Sequence, residues 1–445
     1  MQALLQRAKG SPLSILASGM DPVGAVTLLP PYAKQITDLH FATSHWADIQ
    51  RFSEINSGPL PFLRTLNIDT VQGIGRNVPL FSGAVGLKEF RLHSKGSPLL
   101  NRFVFPNLTS FELSVAYPVG RFDGSLLLDF LGASSMLRTV YMKVGAAVSL
   151  EEISQQTVVV LPNVESLCLT ASDDESGYKL TTHISCPSVK HTLLTRVGEK
   201  RSDDPSLEAF PNSDSWNAII RQYTRSPIEE VTLEITTDSD HFIVCSLTFQ
   251  PADTTVIRLR FEITEDDEDR DTVEWKRLFR TIYRDVFSEA LRTIQDLPLP
   301  GNFKRLRIYN HAQPGYEQIT HLAIELGRLI TSLGALDELS ISHCDMRPFY
   351  FPFFYYPGFY KSEEPVTYPS VKVLTILHPL NPFGEDFALG LVDLVKTQSE
   401  LGEPFERVTV CMDGLPVDME ERLRLWVGAV DCYDVPYDEQ NLGPI

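Results

Sequence analysis

Apolar residues recur along this chain in one short register: an apolar position, two variable ones, a second apolar position, one variable, then a third. Leu336 to Cys344 (LDELSISHC) is the clearest copy, and others begin at Ile36, Leu63, Leu87, Leu108, Leu137, Val164, Val189, Ile228, Val256, Phe303, Val371 and Phe405. The steps run from 21 residues (Leu87 to Leu108) to 47 (Val256 to Phe303). A unit this short cannot bury its own apolar face, so it must stack on its neighbours into one continuous core. Each copy predicts a strand whose apolar positions point inward and whose third and fifth residues point outward by strand alternation.

A parallel sheet covered on both faces would show continuous apolar runs. These strands do not: Lys304, Arg305 and Arg307 interrupt FKRLRIY, and Thr109, Ser110, Glu112 and Ser114 interrupt LTSFELS. The expectation is an α/β fold, an open leucine-rich-repeat-like solenoid bent into a horseshoe or arc, with parallel strands on the concave face and irregular helices and loops on the convex one. It would be a single domain over 1–445, with an N-terminal cap region at 1–35, about thirteen repeats over 36–417, and a capping helix and tail at 418–445.

Helical spacing appears between some strands. SLLLDFLGASSM (Ser125 to Met136) feeds straight into LRTVYM, and Val273 to Ile294 carries Leu278, Phe279, Ile282, Val286, Ala290 and Ile294 before Pro298, Pro300 and Gly301 stop it. Shorter sets are Leu4, Leu5 and Ala8; Ile319, Leu322, Ala323 and Leu326; and Phe387, Leu391, Leu394 and Val395. Leu13 and Ile15 suit an edge strand ahead of the first copy, and Asp418 with Glu421 forms a capping-box pattern. The Val189 copy is imperfect, because Thr192 stands where an apolar residue is expected, and the polar stretch from Glu199 to Asp214 reads as an insertion.

Composition narrows the function classes. A formal charge of −19 opposes general binding to nucleic acid or to an anionic membrane, since phosphate contacts need a basic field. The 6 cysteines, none in a Cys-x-x-Cys pair, are too sparse for a disulfide framework and fit a reducing, intracellular compartment, cytoplasmic or nuclear. No apolar run reaches transmembrane length. Catalytic signatures such as Gly-x-Ser-x-Gly, His-Glu-x-x-His and a Walker loop are missing, so neither an enzyme nor a cofactor is expected. His183, Cys186 and His191 lack the spacing of a closed metal site. The acidic run Glu265 to Asp271 lacks the alternation and glycine of a calcium loop.

Two features suggest contact with a protein partner. Arg258, Arg260, Arg305 and Arg307 take outward positions in successive copies, where four guanidinium groups could grip carboxylates or phosphates, or be neutralised by Glu230, Glu234 and Glu262 as cross-strand pairs. PFYFPFFYYPGFY, with Phe349, Tyr350, Phe353 and Tyr355, is dense enough in aromatics to anchor an interface or to fold back over its own unit.

QALLQRAKGSPLSI at the start, SLLLDFLGASSMLRTVYM, PNVESLCL, YPSVKVLTILHP, FALGLVDLVKTQSELGEPFERVTV and the ending LRLWVGAVDCYD, taken in this order, resemble the leucine-rich-repeat-like region of the F-box proteins typical of mushrooms. The resemblance implies a non-catalytic protein-interaction module like the substrate-recognition arm of a ubiquitin-ligase subunit. A free-standing scaffold without a ligase connection is the alternative. The family's F-box has no counterpart here, so binding to the ligase adaptor is expected only if such a segment lies upstream. The regular asparagine of typical leucine-rich repeats is replaced by Val71, Lys95, Ala116 and Gly145, which predicts uneven turns.

Overall fold

The computed structural model describes residues 10–18, 29–45, 49–50, 60–72, 80–81, 83–96, 98, 100–115, 122–144, 148–149, 158–172, 180–200, 220–224, 226–238, 242–252, 256–265, 286–295, 303–310, 329, 332–333, 335–342, 370–377, 384–412 and 415–434. Sixteen main-sheet strands dominate this mixed α/β chain, with few helices among the described residues. The chain divides into two compact units, Met1–Val197 with Ala218–Tyr223, and Gly198–Asn217 with Thr224–Ile445.

The first unit carries β1 (Leu13–Ser18), β2 (Ile36–His45), β3 (Thr65–Gln72), β4 (Glu89–Ser94), β5 (Ser110–Val115), β6 (Thr139–Val144), β7 (Ser166–Ser172) and, as far as Val197, β8 (His191–Lys200). Each pairs in parallel with the next in chain order. Strict alternation is the cause. In β4, Phe90, Leu92 and Ser94 are buried while Arg91 and His93 are exposed. In-register pairing then aligns the apolar positions into two rows, Leu39, Leu66, Phe90, Phe111, Val140 and Leu167, and Phe41, Ile68, Leu92, Leu113, Met142, Leu169 and Leu194. Each such side chain contributes about 1.5–3 kcal/mol by leaving water. Thr192 continues the first row beside Leu167 and is 2% exposed, so the imperfect copy keeps its register.

Turns set the spacing. Ahead of each strand the first apolar residue of the copy donates its N–H three residues back: Leu63 to Leu60, Leu87 to Ala84, Leu108 to Phe105, Leu137 to Ser134, Val164 to Leu161 and Val189 to Cys186. Asn107 and Asn163 occupy the residue before that position and donate from Nδ2 to the carbonyls of Val85 (2.9 Å) and Ser135 (3.0 Å) in the preceding turn. Asparagine thus does ladder work in these turns rather than at the positions of Val71, Lys95, Ala116 and Gly145.

Helix α1 (Gly124–Ala133) starts where Asp123 Oδ1 accepts from the Ser125 N–H at 2.8 Å. Its Phe130 lies 4.7 Å from Phe111 and 6.1 Å from Phe90, ring centre to ring centre, in a cluster completed by Phe103 and Phe105. The last rung is closed by a segment that returns to the first unit: Gln222 Nε2 and the Tyr223 hydroxyl reach the carbonyls of Thr181 and Ile184.

The second unit carries β9 (Ile228–Asp238), β10 (Phe242–Pro251), β11 (Val256–Glu265), β12 (Arg305–Asn310), β13 (Ala335–Ser342), β14 (Ser370–Leu377), β15 (Arg407–Met412) and β16 (Ala429–Asp434). Its strand order is β11-β10-β9-β12-β13-β14-β15-β16, an open run. From β9 through β12 to β16 the pairing is parallel, but β10 runs antiparallel to both β9 and β11. The expected run of parallel copies is therefore interrupted by a meander, because β10 pairs antiparallel with a strand on each side. Both faces of β10 are covered, with Val244 at 8% and Ser246 at 6%, so the one-sided solvation expected of every strand fails there. Ser340 and Ser342, outward on β13, are buried as well.

Helix α2 (Gly384–Glu400) buries Ala388, Leu391, Leu394 and Val395. It ends on Gly402 at φ +84°, with the Gly402 and Glu403 N–H groups bonded to the Ser399 and Gln398 carbonyls, a closure that needs left-handed backbone. Helix α3 (Met419–Arg424) follows Asp418, which makes no side-chain cap bond. The expected capping box is absent because Asp418 pairs instead with Arg422 one turn on, at 2.5 Å. Beyond α3, where only a cap and tail were expected, β16 adds a further parallel strand to β15.

Of the expected Val273 to Ile294 helix, residues 286–294 are helical, with Val286, Ala290 and Ile294 buried, and residues 273–285 lie outside the described residues. The expected helices at Leu4, Leu5 and Ala8 and at Ile319 to Leu326, and the aromatic segment with Phe349, Tyr350, Phe353 and Tyr355, lie outside the described residues; of the expected insertion from Glu199 to Asp214, Glu199 and Lys200 continue β8 and the rest lies outside the described residues.

Candidate interaction face

Alternation that buries one face of each strand presents the other. In the second unit the four arginines fall on that outward face, but not side by side: β10 and β9 stand between β11, with Arg258 and Arg260, and β12, with Arg305 and Arg307. The expectation of neighbouring strands fails because β10, unread in the sequence, inserts there. Carboxylates answer most of the charge. Arg260 Nε lies 2.7 Å from Glu262 Oε1. Arg305 reaches Glu230 at 3.4 Å and Glu229 at 3.6 Å, and Arg307 reaches Glu230 at 3.5 Å and Glu338 at 3.8 Å. Glu230, its side chain 12% exposed, is the hinge of this set. Glu234 stands in register with Ser246 and Tyr309.

Arg258 differs. Its Nε donates to Thr248 Oγ1 at 3.2 Å, and among the described residues no carboxylate holds it. In register, Arg258, Thr248, Thr232, Arg307, Ser340, Thr375, Thr409 and Asp431 form one row across all eight strands of the unit. Arg258 stands at one end and Asp431 at the other, with Arg307 and short hydroxyl side chains between them.

The first unit holds a second polar set that the sequence reading passed over. His40 Nε2 donates to Asp69 Oδ2 at 2.7 Å. The other oxygen of Asp69 faces His93 Nδ1 at 3.8 Å, and His93 Nε2 faces Glu112 Oε1 at 3.4 Å. Glu112 continues to Arg91 at 3.4 Å and Arg91 to Glu89 at 3.8 Å. The chain crosses β2, β3, β4 and β5, its side chains 30% to 50% exposed. Asp69 and His93 sit at the seventh position of their copies, one step past the outward third and fifth, so extending the alignment by two residues would have exposed the set.

Among the described residues no three of His, Cys, Asp and Glu converge on a point that could hold a metal ion. His183 and Cys186 are buried, and His191 stands on β8 opposite Ser166. Burial pushes the Cys186 thiol up to about 12, and the Cys168 thiol up to about 11 against a lowering hydrogen bond from Thr170, so both are poor nucleophiles. Cys411 and Cys432 sit on adjacent strands, yet Cys411 is in register with Tyr433 and Cys432 with Val410, so they point to opposite faces. No helix among the described residues is long and apolar enough to cross a membrane.

Comparison with models of protein families, with curated proteins and with solved structures finds no match to this chain.

Proposed function

We propose that this chain is an open leucine-rich-repeat-like solenoid that serves as a non-catalytic protein-interaction module. The observation that carries the reading is the outward face of the second unit, where eight strands line up an arginine-and-hydroxyl row over an apolar core. Arg258, which among the described residues is held only by a threonine hydroxyl, and the arginines around Glu230 suit an acidic or phosphorylated partner segment, because a guanidinium engages two anionic oxygens at once. The described thiols are buried or raised, which favours binding over chemistry.

Replacing Arg258, Arg260, Arg305 and Arg307 with serine should strip partners from the chain in quantitative interaction profiling while the melting temperature shifts by only a few degrees. An unchanged partner list would reduce the arginines to structural pairs. The resemblance of the chain to the repeat region of mushroom-type F-box proteins adds a ligase hypothesis, against the free-standing scaffold. Stoichiometric recovery of the ligase adaptor with the intact chain supports the first, and its absence supports the second.

A further inference from the structure

The four arginines of the second unit are not equivalent. Arg305 and Arg307 share Glu229, Glu230 and Glu338, and Arg260 has Glu262, whereas no carboxylate among the described residues answers the charge of Arg258. Its guanidinium is oriented all the same. The Nε donates to Thr248 Oγ1 at 3.2 Å, which leaves the two Nη groups for another acceptor. Arg258 is exposed in the folded chain, so those donors meet solvent.

The hydroxyls beside it are unused donors as well. Thr248 accepts from Arg258, so its own proton is left to donate onward. Thr232 stands in register with Thr248 on β9, and Ser246 lies two residues before Thr248 on the same outward face of β10, between the inward Cys245 and Leu247. Neither Thr232 nor Ser246 makes a side-chain hydrogen bond among the described residues, although Ser246 is only 6% exposed. A covered hydroxyl without a partner is unfavourable, and packing alone gives no reason to keep it. One guanidinium and three hydroxyls therefore occupy a single patch across strands about 4.8 Å apart.

We propose that this patch is a subsite for one carboxylate, the side chain of an aspartate or glutamate in a partner segment; the inference rests on the interaction-module reading and names what that face holds. Arg258 takes both oxygens through its Nη groups, and the hydroxyls of Thr232, Thr248 and Ser246 complete their shell. Charge decides against a phosphate. Arg258 and Arg260 are matched in number by Glu262 and by Glu234, which stands in register with Ser246. A carboxylate brings one negative charge to the one guanidinium without a carboxylate, whereas a phosphate brings about −1.5 to −2 and faces Glu234 with charge to spare. Side-chain length decides against a chain terminus. The short hydroxyls are rimmed by the longer Arg258, Arg260 and Glu234, so a carboxyl group at the end of one or two methylenes reaches them, while one attached directly to backbone would press that backbone onto the rim.

The test uses the full chain with nitrogen-15 in its arginines and acetylated, amidated pentapeptides of glycine and serine whose central residue is aspartate, asparagine or phosphoserine. The aspartyl peptide should move the Arg258 Nε signal, identified by its loss in Arg258→Lys, in a saturable way, and bind roughly tenfold more tightly than the asparaginyl one. Ser246→Ala and, separately, Thr232→Val should each weaken the aspartyl peptide by roughly threefold while melting as the parent does. Glu234→Gln should strengthen the phosphoseryl peptide more than the aspartyl one, since it removes the repelling charge. Absent saturation, or equal binding of the aspartyl and asparaginyl peptides, would overturn the subsite. Tighter binding of the phosphoseryl peptide to the parent would replace the carboxylate with a phosphate, and binding only of an unamidated glycine-serine peptide would replace the side chain with a terminus. If the subsite falls while the four-arginine variant still loses its partners, the interaction reading stands without it.

Discussion

Burial is what separates the cysteines of this chain from reactive ones. The Cys168, Cys186 and Cys245 thiols are all pushed above their ordinary value of 9.0 by desolvation of the thiolate, Cys186 to about 12 and Cys168 to about 11. A group that holds its proton more tightly when folded stabilises the fold fully below its unfolded value and ceases to do so as pH rises through its folded value. The contribution of Cys168 and Cys186 is therefore intact below pH 9.0 and is lost between there and about pH 11 to 12. Urea midpoints at about pH 8 and about pH 10.5 should fall more steeply in the parent than in a Cys168→Ala, Cys186→Ala variant. Parallel declines would mean that these thiols do not hold their protons through folding. At the same scale the arginine pairs are modest. Half-exposed ion pairs contribute about 0–1 kcal/mol each, so their geometry bears on recognition more than on stability.

Among the elements, the turns before the strands limit what the chain tolerates. Gly86 lies so close to the preceding turn that an added Cβ would come within 2.6 Å of the Pro61 carbonyl oxygen, and backbone cannot swing away. Gly86→Ala should cost about 1–3 kcal/mol, as overpacking does. By contrast, Asn107→Ala removes one exposed hydrogen bond to Val85 and should cost no more than about 1 kcal/mol. Denaturant titration of the two variants checks the order, and equal losses would mean the close approach is relieved. The glycine is visible in GLKEFRL, but what its missing Cβ would strike is set by the neighbouring copy. The same limit explains β10. FIVCSLTF carries Ile243, Cys245, Leu247 and Phe249 at alternate positions, and the polar Asp238 to His241 ahead of it is a hairpin signal, but one spaced register does not pick out an antiparallel strand.

On the scale of the molecule, stability is shared along rows. Ile341 is 1% exposed and stands in register between Ile308 and Ile376, inside an apolar row that runs from Leu233 to Val410. Ile341→Asp should therefore cost several kcal/mol and loosen β12 and β14 as well as β13, since an unpaired carboxylate cannot stay in that row. Hydrogen exchange should show faster amides on all three strands. Loosening confined to β13 would mean that the strands do not share their core.

The thirteen copies of the apolar register, α1 and α2 were legible in the sequence because local alternation and helical spacing are properties of neighbours along the chain. So was the edge strand at Leu13 and Ile15, and the outward placement of Arg258, Arg260, Arg305 and Arg307. What only the tertiary structure decided is which strands stand beside which. Two intervening strands separate the arginines, Asp418 turns to Arg422, and His40, Asp69, His93 and Glu112, spread over 73 residues of chain, meet in one ladder. The physical reason is that a strand's faces are fixed by its own period of two, whereas its partners are chosen by hydrogen bonds and side chains contributed from far along the chain.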